Sequence, residues 1–176
     1  MEIKIRKATE DDIEGITKVH VDSWKTTYKG ILPDGILDSI TYESREKQWK
    51  SIFKQKSAHQ YRYVAEGIDG TIVGFIDGGP ERTGIYDCDG ELYAIYLLEE
   101  YQGYKVGKRL FQTLVSEFIK KGVRSVLVWV ISDNPSKNFY EKFGPERIDT
   151  KFIQRLNTEE TAYCWRDLHT LNEKLI

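Results

Sequence analysis

The spacing of apolar residues divides the chain into strands and helices. Alternating or continuous apolar runs are typical of strands, and they occur at 3–9, 60–68, 71–79, 91–98, 125–131, 146–154 and 160–168. Apolar residues three and four positions apart predict helices, which follow Thr9, lie within 31–53, cover 106–121 and start at Asn134. The resulting order is β-α-α-β-β-β-α-β-α-β-β.

The connection between the fourth and fifth strands decides the fold class. It carries an amphipathic helix in which Val106, Leu110, Leu114 and Phe118 recur four apart, and Gly122 provides its C-terminal stop. Two strands joined by such a helix are parallel, and the crossover is right-handed. We therefore predict an α/β (α+β) fold. Its sheet is mixed, mostly antiparallel and seven-stranded, with a parallel fourth and fifth strand and flanking helices.

Composition narrows the class of protein. The 176 residues, 40% hydrophobic and 31% charged, suit one soluble domain over 1–176. A net charge of −2 argues against general nucleic-acid binding. The N-terminus lacks the apolar core of a signal peptide, and no apolar run approaches the roughly 20 residues that span a bilayer. The two cysteines form no disulfide framework and no metal-ligand spacing, so we expect a reduced, cytoplasmic protein without a metal or a membrane contact.

Two glycines lie where the long helix should begin, although glycine costs roughly 1 kcal/mol against alanine inside a helix. The free N–H groups of a helix start and the helix dipole favour an anion. A nucleotide P-loop is excluded, because Gly103 and Gly107 are one residue too close and Arg109 replaces the metal-binding hydroxyl. The G-x-G-x-x-G dinucleotide pattern is absent. The stretch is either an anion site or a turn with a basic, solvated helix start.

Three segments in order resemble the GNAT superfamily of N-acetyltransferases. "QGYKVG" (102–107) resembles that family's Q/R-x-x-G-x-G/A pyrophosphate loop, although Lys105 stands where the first glycine is usual. "DNPSKNFYEKFG" (133–144) resembles the N-x-x-x-x-F-Y-E-K-x-G segment, one strand later as the family requires. "ELYAIYLL" (91–98) resembles the cofactor-binding strand. With the element order, the resemblance covers nearly the whole chain and implies the GNAT fold and acetyl-CoA.

The resemblance also implies where acetyl-CoA binds. The pyrophosphate would lie on the loop and helix start formed by Gln102, Gly103, Tyr104, Lys105, Val106, Gly107 and Lys108. The pantetheine arm would lie between the diverging fourth and fifth strands, against the backbone of Ile95, Tyr96 and Leu97, like an added strand. Asn134 would face the arm and would also be the N-cap of its helix. Lys105 fits the loop if its φ is negative.

Catalytic roles follow from the same resemblance. Tyr140 would protonate the departing thiolate, since a tyrosine with a pKa near 10 remains protonated at pH 7. Glu91 would be the general base, often acting through water, or else a solvated carboxylate at a strand end. Neutral His20 is a second base candidate if it faces the cleft, and is otherwise a packed residue. A covalent route through Cys88 is rejected, because its carboxylate neighbours raise a thiol pKa.

The sequence leaves the acceptor open. The predicted reaction is transfer of acetyl to a primary amine of a small molecule or peptide, by direct attack. Trp24 and Tyr28 would wall the acceptor pocket or belong to the core. Five acidic residues around one arginine, Arg82, would attract a cationic amine or form a solvated loop; they are Asp77, Glu81, Asp87, Asp89 and Glu91. The alternative function is a non-catalytic acyl-CoA-binding or sensing module, and a homodimer is allowed in either case.

Overall fold

One seven-stranded sheet organises the residues that the computed structural model describes, 2–55 and 57–176. Its strands are β1 Ile3–Lys7, β2 Tyr61–Gly67, β3 Ile72–Pro80, β4 Gly90–Leu97, β5 Val126–Ile131, β6 Glu146–Ile153 and β7 Thr158–Trp165. They lie in the order β1-β2-β3-β4-β5-β7-β6. Only the β4–β5 pair among these strands is parallel. The predicted mixed sheet with its parallel fourth and fifth strands is confirmed.

Helices cover both faces of the sheet. They are α1 Ile13–Thr27, α2 Asp34–Asp38, α3 Tyr42–Lys54, α4 Val106–Lys120, α5 Lys137–Glu141 and α6 Leu168–Leu175. The second predicted helical region is thus two helices, α2 and α3. The predictions lack α6, which Asp167 caps by accepting hydrogen bonds from the N–H groups of His169 and Thr170. No helix in the described part of the chain is both long and apolar enough to cross a membrane.

The crossover helix α4 is anchored by a fully buried stripe. Leu110, Phe111, Leu114, Val115 and Phe118 are each 0% exposed and join the main hydrophobic core. Burying such a side chain contributes roughly 1.5–3 kcal/mol relative to leaving it exposed. The stripe therefore holds α4 rigidly on the sheet and fixes the position of its first turn beside β4.

The opposite face of the sheet carries an aromatic cluster. Successive strand residues point to opposite faces, so Phe75 packs on Trp49 of α3 whereas its neighbour Gly74 faces α4. His20 of α1 is buried here, and its ring is stacked on Tyr96 with centroids 5.1 Å apart. Its Nδ1 accepts a hydrogen bond from Trp49 Nε1 at 3.1 Å. Burial, with the charge of Arg45, lowers the pKa of His20 to about 3, so His20 is a neutral packed residue.

The two cysteines are neighbours in space. Cys88, in the loop before β4, and Cys164, in β7, are free thiols with their Sγ atoms 2.7 Å apart. Burial raises the pKa of both thiols, which disfavours the reactive thiolate. Because the two cysteines are 76 positions apart, their contact could not be predicted from sequence spacing.

Replacement of His20 by glutamine should change how stability depends on pH. A neutral His20 contributes stability above pH 6.5, and this is lost as the pH falls toward 3, because the unfolded chain gains the proton first. Between pH 7 and pH 5 the loss is about 2 kcal/mol for a pKa shift of this size. Urea unfolding at both pH values should show that His20→Gln loses about 2 kcal/mol less than the parent protein.

Asp77 also makes stability depend on pH, but in the opposite direction to His20, so the variant has to be compared with the parent protein. Burial raises the pKa of Asp77 to about 6, which favours the folded state as the pH falls below that value. Asp77 is present in both proteins, so its contribution cancels when their losses of stability are compared. Equal losses in parent and variant would contradict a buried neutral His20.

Candidate active site

The parallel strands β4 and β5 stay together for only three residue pairs. Gly90, Glu91 and Leu92 pair with Val126, Leu127 and Val128 in turn. Beyond this point a cavity of about 660 Å³ opens between residues 93–97 and 128–130. Among the described residues, the facing backbone edges of the two strands have no strand partner there, so their polar groups are available to a ligand.

A bulge in β4 lies where the strands part. Asp77 is opposite Ala94 and Gly78 is opposite Leu92, so Tyr93 has no partner on β3. A bulge bends its strand and increases the local twist. It therefore accounts for the change in direction of β4 as it leaves β5.

Unpaired backbone N–H groups at the start of α4 line the cavity. The first hydrogen bond of α4 runs from Arg109 N to Lys105 O at 3.0 Å. The N–H groups of Val106, Gly107 and Lys108 precede this bond and contact no acceptor among the described residues. Together with the helix dipole and the lysine charges, they suit an anionic group such as a pyrophosphate.

The expected negative φ of Lys105 is wrong. Lys105 has a φ of +62°, in the left-handed region, and Gly103 before it has a φ of +82°. A left-handed lysine costs roughly 1–2 kcal/mol, whereas glycine adopts this conformation freely. The glycine that the related motif usually has here therefore serves the backbone turn. In this chain Lys105 keeps the left-handed turn that the usual glycine would form, and it adds a positive charge.

Gly107 has a different role. A Cβ placed on it would meet only the Phe139 ring, at 3.9 Å, which is ordinary van der Waals contact. No described protein atom therefore requires glycine at this position. Because Gly107 lines the cavity, its missing side chain leaves the first turn of α4 open to a ligand.

Tyrosines and an asparagine also line this cavity. Tyr140 is buried and lines the cavity with Tyr28. Burial, with the nearby Tyr96, raises the pKa of each hydroxyl above its usual value, so both stay protonated at neutral pH. Asn134 lines the same region, and its Oδ1 accepts a hydrogen bond from Ser136 N at 2.9 Å. Asn134 therefore closes a turn, and its predicted role as the helix N-cap is wrong, since α5 begins at Lys137.

Most of the predicted cofactor residues line this one cavity. They are Ile95, Tyr96, Leu97, Gln102, Gly103, Lys105, Val106, Gly107, Lys108 and Asn134. Tyr104, which is 61% exposed, is not among them. Trp24 lies one layer behind the cavity, where its Nε1 donates to Tyr96 Oη at 2.9 Å. Contacts of these residues with a cofactor remain predictions.

Phe139 and Trp129 are among the lining residues that the sequence predictions did not include. Phe139 covers Gly107 from α5, and Trp129 of β5 lines the cavity where the strands part. Phe139 belongs to the "NFYEKFG" segment, and its place in that motif was the feature of the sequence that could have indicated a site residue. Trp129 is partly exposed in an otherwise buried strand, and its size within an apolar run was the only indication in the sequence.

The structure places Glu91 away from Tyr140. Glu91 is only 2% exposed, so it is no solvated carboxylate. It accepts hydrogen bonds from Arg82, through the backbone N at 3.1 Å, Nε at 3.2 Å and the terminal guanidinium nitrogen at 2.5 Å. Glu91 lines a second cavity, of about 600 Å³, and Trp129 lines both cavities. The candidate acid and base thus lie in adjacent cavities.

The predicted acidic cluster is largely neutralised. Asp77 forms an ion pair with Arg62 (2.9 Å) and Asp89 pairs with Arg124 (3.0 Å). Glu81 accepts hydrogen bonds from the N–H groups of its own loop, and Arg82 holds Glu91. The expectation that these carboxylates attract a cationic amine is therefore not supported by their partners. Among the described residues no group of three potential metal ligands converges.

The Acetyltransferase (GNAT) family model matches residues 23–144, which is more than half of the chain. The chain belongs to the GNAT family of acetyltransferases. GNAT proteins transfer an acyl group from acetyl-CoA, and this member is an acetyl-CoA-dependent acyltransferase. The alternative of a non-catalytic acyl-CoA-binding module is accordingly set aside.

Individual GNAT proteins resemble this chain over most of its length. An uncharacterized N-acetyltransferase of Bacillus subtilis, YuaI, is 39% identical over 98% of each chain. The spermidine N(1)-acetyltransferase of Thermoplasma acidophilum is 32% identical over 85% of this chain and 92% of its own. The crystal structure of the PaiA N-acetyltransferase of the same organism, in complex with coenzyme A, has a TM-score of 0.75 at 27% identity. It covers 94% of this chain and all of that one.

Replacement of Gly107 by alanine should stabilise this GNAT protein and weaken its binding of coenzyme A. Alanine exceeds glycine in helix propensity by about 1 kcal/mol, and the described protein has room for the methyl group. That group would hold a phosphate away from the N–H groups of the first turn. We expect a higher Tm without ligand and a Kd for coenzyme A raised about tenfold or more, measured by thermal unfolding and calorimetry.

The matched variant is Lys105→Gly, which alters the same loop in the opposite way. It relieves the left-handed lysine and removes one positive charge, so binding should weaken modestly and depend less on salt. Normal coenzyme A binding by Gly107→Ala would show that the glycine serves only the helix start.

Proposed function

We propose that this enzyme acetylates a primary amine of a small molecule or peptide by direct attack, with Tyr140 as the general acid. Acetyl-CoA supplies the activated thioester. The observation that carries the proposal is the position of Tyr140, a protonated phenol in the same cavity as the unpaired N–H groups of the first turn of α4. One cavity lined both by the first turn of α4 and by a phenol suits a cofactor that carries a pyrophosphate and a thiol.

The aromatic surroundings of Tyr140 support this role. Phe139 and Phe111 pack against its ring with centroids 5.2 and 6.3 Å away, and Trp165 lies at 6.3 Å. These contacts fix the direction of the hydroxyl. The same burial that keeps the phenol protonated also disfavours a thiolate in this cavity. A hydrogen bond and then a proton from Tyr140 would neutralise the thiolate, and the proton that the amine nitrogen loses as the amide forms would restore the phenol.

We assign the water-mediated general base to Glu91. The amine must be neutral to attack, and a positioned base contributes about 10²–10⁴-fold. Oε2 of Glu91 accepts two hydrogen bonds from Arg82, whereas Oε1 accepts one. Oε1 can therefore accept a further bond from a water molecule in the second cavity. The adjacency of the two cavities at Trp129 supports a path for an amine between this water and Tyr140.

A polyamine is one candidate acceptor. The support is the 32% identity with a protein named spermidine N(1)-acetyltransferase. Thiol release from acetyl-CoA, measured with polyamines, amino acids and peptide amines, tests the proposed reaction and its acceptor. Absence of amine-dependent thiol release across this panel, by protein that binds coenzyme A, would contradict the proposed function.

Tyr140→Phe should lower kcat by on the order of 10²-fold while leaving acetyl-CoA affinity nearly unchanged. The substitution keeps the packed ring and removes only the proton donor. Steady-state rates and calorimetry measure the two quantities. Tyr28→Phe is the matched control, because Tyr28 is also a buried tyrosine of this cavity. An unchanged kcat in Tyr140→Phe, with the chemical step rate-limiting, would remove Tyr140 from the mechanism.

Glu91→Gln should reduce kcat/KM most near neutral pH and least at high pH, where the amine loses its proton without help. Arg82→Gln breaks the same ion pair but retains the carboxylate. If Glu91 is the general base, only Glu91→Gln should show the pH-dependent loss of kcat/KM. Equal, pH-independent losses in the two variants would show instead that the ion pair is structural. Thermal unfolding in the assay buffer confirms that each variant is folded.

A further inference from the structure

Two thiols that line neither of the cavities described above lie side by side. The Sγ atom of Cys88, in the loop between β3 and β4, is 2.7 Å from that of Cys164, in β7. A disulfide bond is about 2.05 Å long, so a small shift of the two side chains would join them. Among the described residues no third ligand converges with them to hold a metal ion. The pair is therefore placed for a bond between the two sulfur atoms.

Hydrogen bonds hold the backbone on both sides of Cys88. Before it, the carbonyl oxygen of Asp87 accepts a hydrogen bond at 2.8 Å from Nη1 of Arg166, which directly follows β7. After it, the backbone N of Asp89 donates to Ser125 Oγ, next to β5, at 2.9 Å. The loop is thus attached to the same two strands that surround the thiols, and the approach of the sulfur atoms follows from these contacts.

The two thiols differ in their access to solvent. Cys88 is partly exposed, whereas Cys164 is 1% exposed in β7, which lies between β5 and β6 in the sheet. The Cys88 Sγ is also 3.7 Å from Arg166 Nη1, and a neighbouring cation favours the thiolate that reacts with disulfides. A small reagent in solution therefore meets Cys88 first, and Cys164 is reached only through Cys88.

We propose that Cys88 and Cys164 form a reversible redox site, at which Cys88 reacts with a low-molecular-weight disulfide and Cys164 resolves the product. The Cys88 thiolate attacks one sulfur of the small disulfide and forms a mixed disulfide, and the displaced thiolate takes up the proton that Cys88 lost. Cys164 then loses its own proton and attacks the Cys88 sulfur, which forms the Cys88–Cys164 bond and releases the second small thiol. Two cysteine thiols are oxidised and one small disulfide is reduced to two thiols.

The bond ties the β3–β4 loop covalently to β7. This loop also carries Arg82 and Thr83, which line the second cavity, and Arg82 holds Glu91. Oxidation therefore restrains the segment that forms one wall of that cavity. A cross-link between residues 76 positions apart also restricts the unfolded chain, so the oxidised protein unfolds at a higher temperature. The redox site stands independently of the proposed acetyl transfer, in which neither cysteine takes part.

The test exposes fully reduced, folded protein at low concentration to 2-hydroxyethyl disulfide, a small neutral probe. The protein is then denatured and alkylated, and its intact mass and peptides are measured. We expect the parent protein to lose both alkylatable thiols, to carry no probe group and to yield one peptide pair linked through Cys88 and Cys164. Dithiothreitol should restore both thiols. Thermal unfolding should give a higher Tm for the oxidised protein than for the reduced protein.

Two matched variants separate the roles of the thiols. Cys164→Ala keeps the accessible thiol but lacks the resolving one, so the probe should remain on Cys88 as a stable mixed disulfide. Cys88→Ser should leave Cys164 as a free thiol that the probe does not modify in the folded protein, because Cys164 is 1% exposed. Cys88 is partly exposed in a loop, so Cys88→Ser remains informative if Cys164→Ala fails to fold.

Several results would overturn the redox site. Two alkylatable thiols in the parent protein after exposure to the probe would show that the pair does not oxidise. A probe group that persists on Cys88 of the parent, or a disulfide between two protein molecules, would show that Cys164 does not resolve the mixed disulfide. Modification of Cys164 in Cys88→Ser would overturn the order of reaction, and an unchanged Tm after the bond has formed would overturn the inferred restraint.

Discussion

The early separation of two parallel strands is the constraint on which this structure depends. β4 and β5 pair at three positions and then part, which leaves the facing edges of both strands without partners in the sheet. Unpaired backbone groups are costly when buried, so such a gap is stable only where solvent or a ligand satisfies them. The cavity therefore follows from the strand geometry, and the bulge at Tyr93 turns β4 away from its neighbour.

The crossover helix makes the gap selective. Its fully buried stripe fixes α4 to the sheet, and the helix begins at the mouth of the cavity. The left-handed Lys105 turns the chain into the helix, and Gly107 leaves the first turn uncovered. A rigid core thus holds the unpaired N–H groups of α4 and two buried tyrosines in the lining of one cavity. We propose that this cavity joins an anion site to a proton donor.

The sequence predicted the elements more fully than the contacts between them. Apolar periodicity was sufficient to predict the seven strands and α4. Burial of one or both faces of such an element directly determines which of its positions are apolar. The left-handed φ of Lys105 was not predictable, since it depends on how the loop closes between a strand and a helix that are both fixed elsewhere. The short helix α6 was missed because Asp167 caps it only two residues after a strand.

Charge partners were the least predictable feature. The acidic cluster before β4 suggested an exposed negative surface, yet Arg62, Arg82 and Arg124 hold three of its carboxylates. The approach of Cys88 to Cys164 likewise depends on tertiary packing between distant segments. Sequence spacing carries no information on such pairs.

Amide hydrogen exchange with and without coenzyme A tests the central claim most directly, that the gap and the first turn of α4 form one cofactor site. Coenzyme A should slow exchange at residues 103–108 and at those amides of 93–97 and 129–131 that face the gap. Amides of β4 that are already bonded to β3 should change little, which provides an internal control. Protection confined to other segments, or none in these three at saturating coenzyme A, would contradict the account.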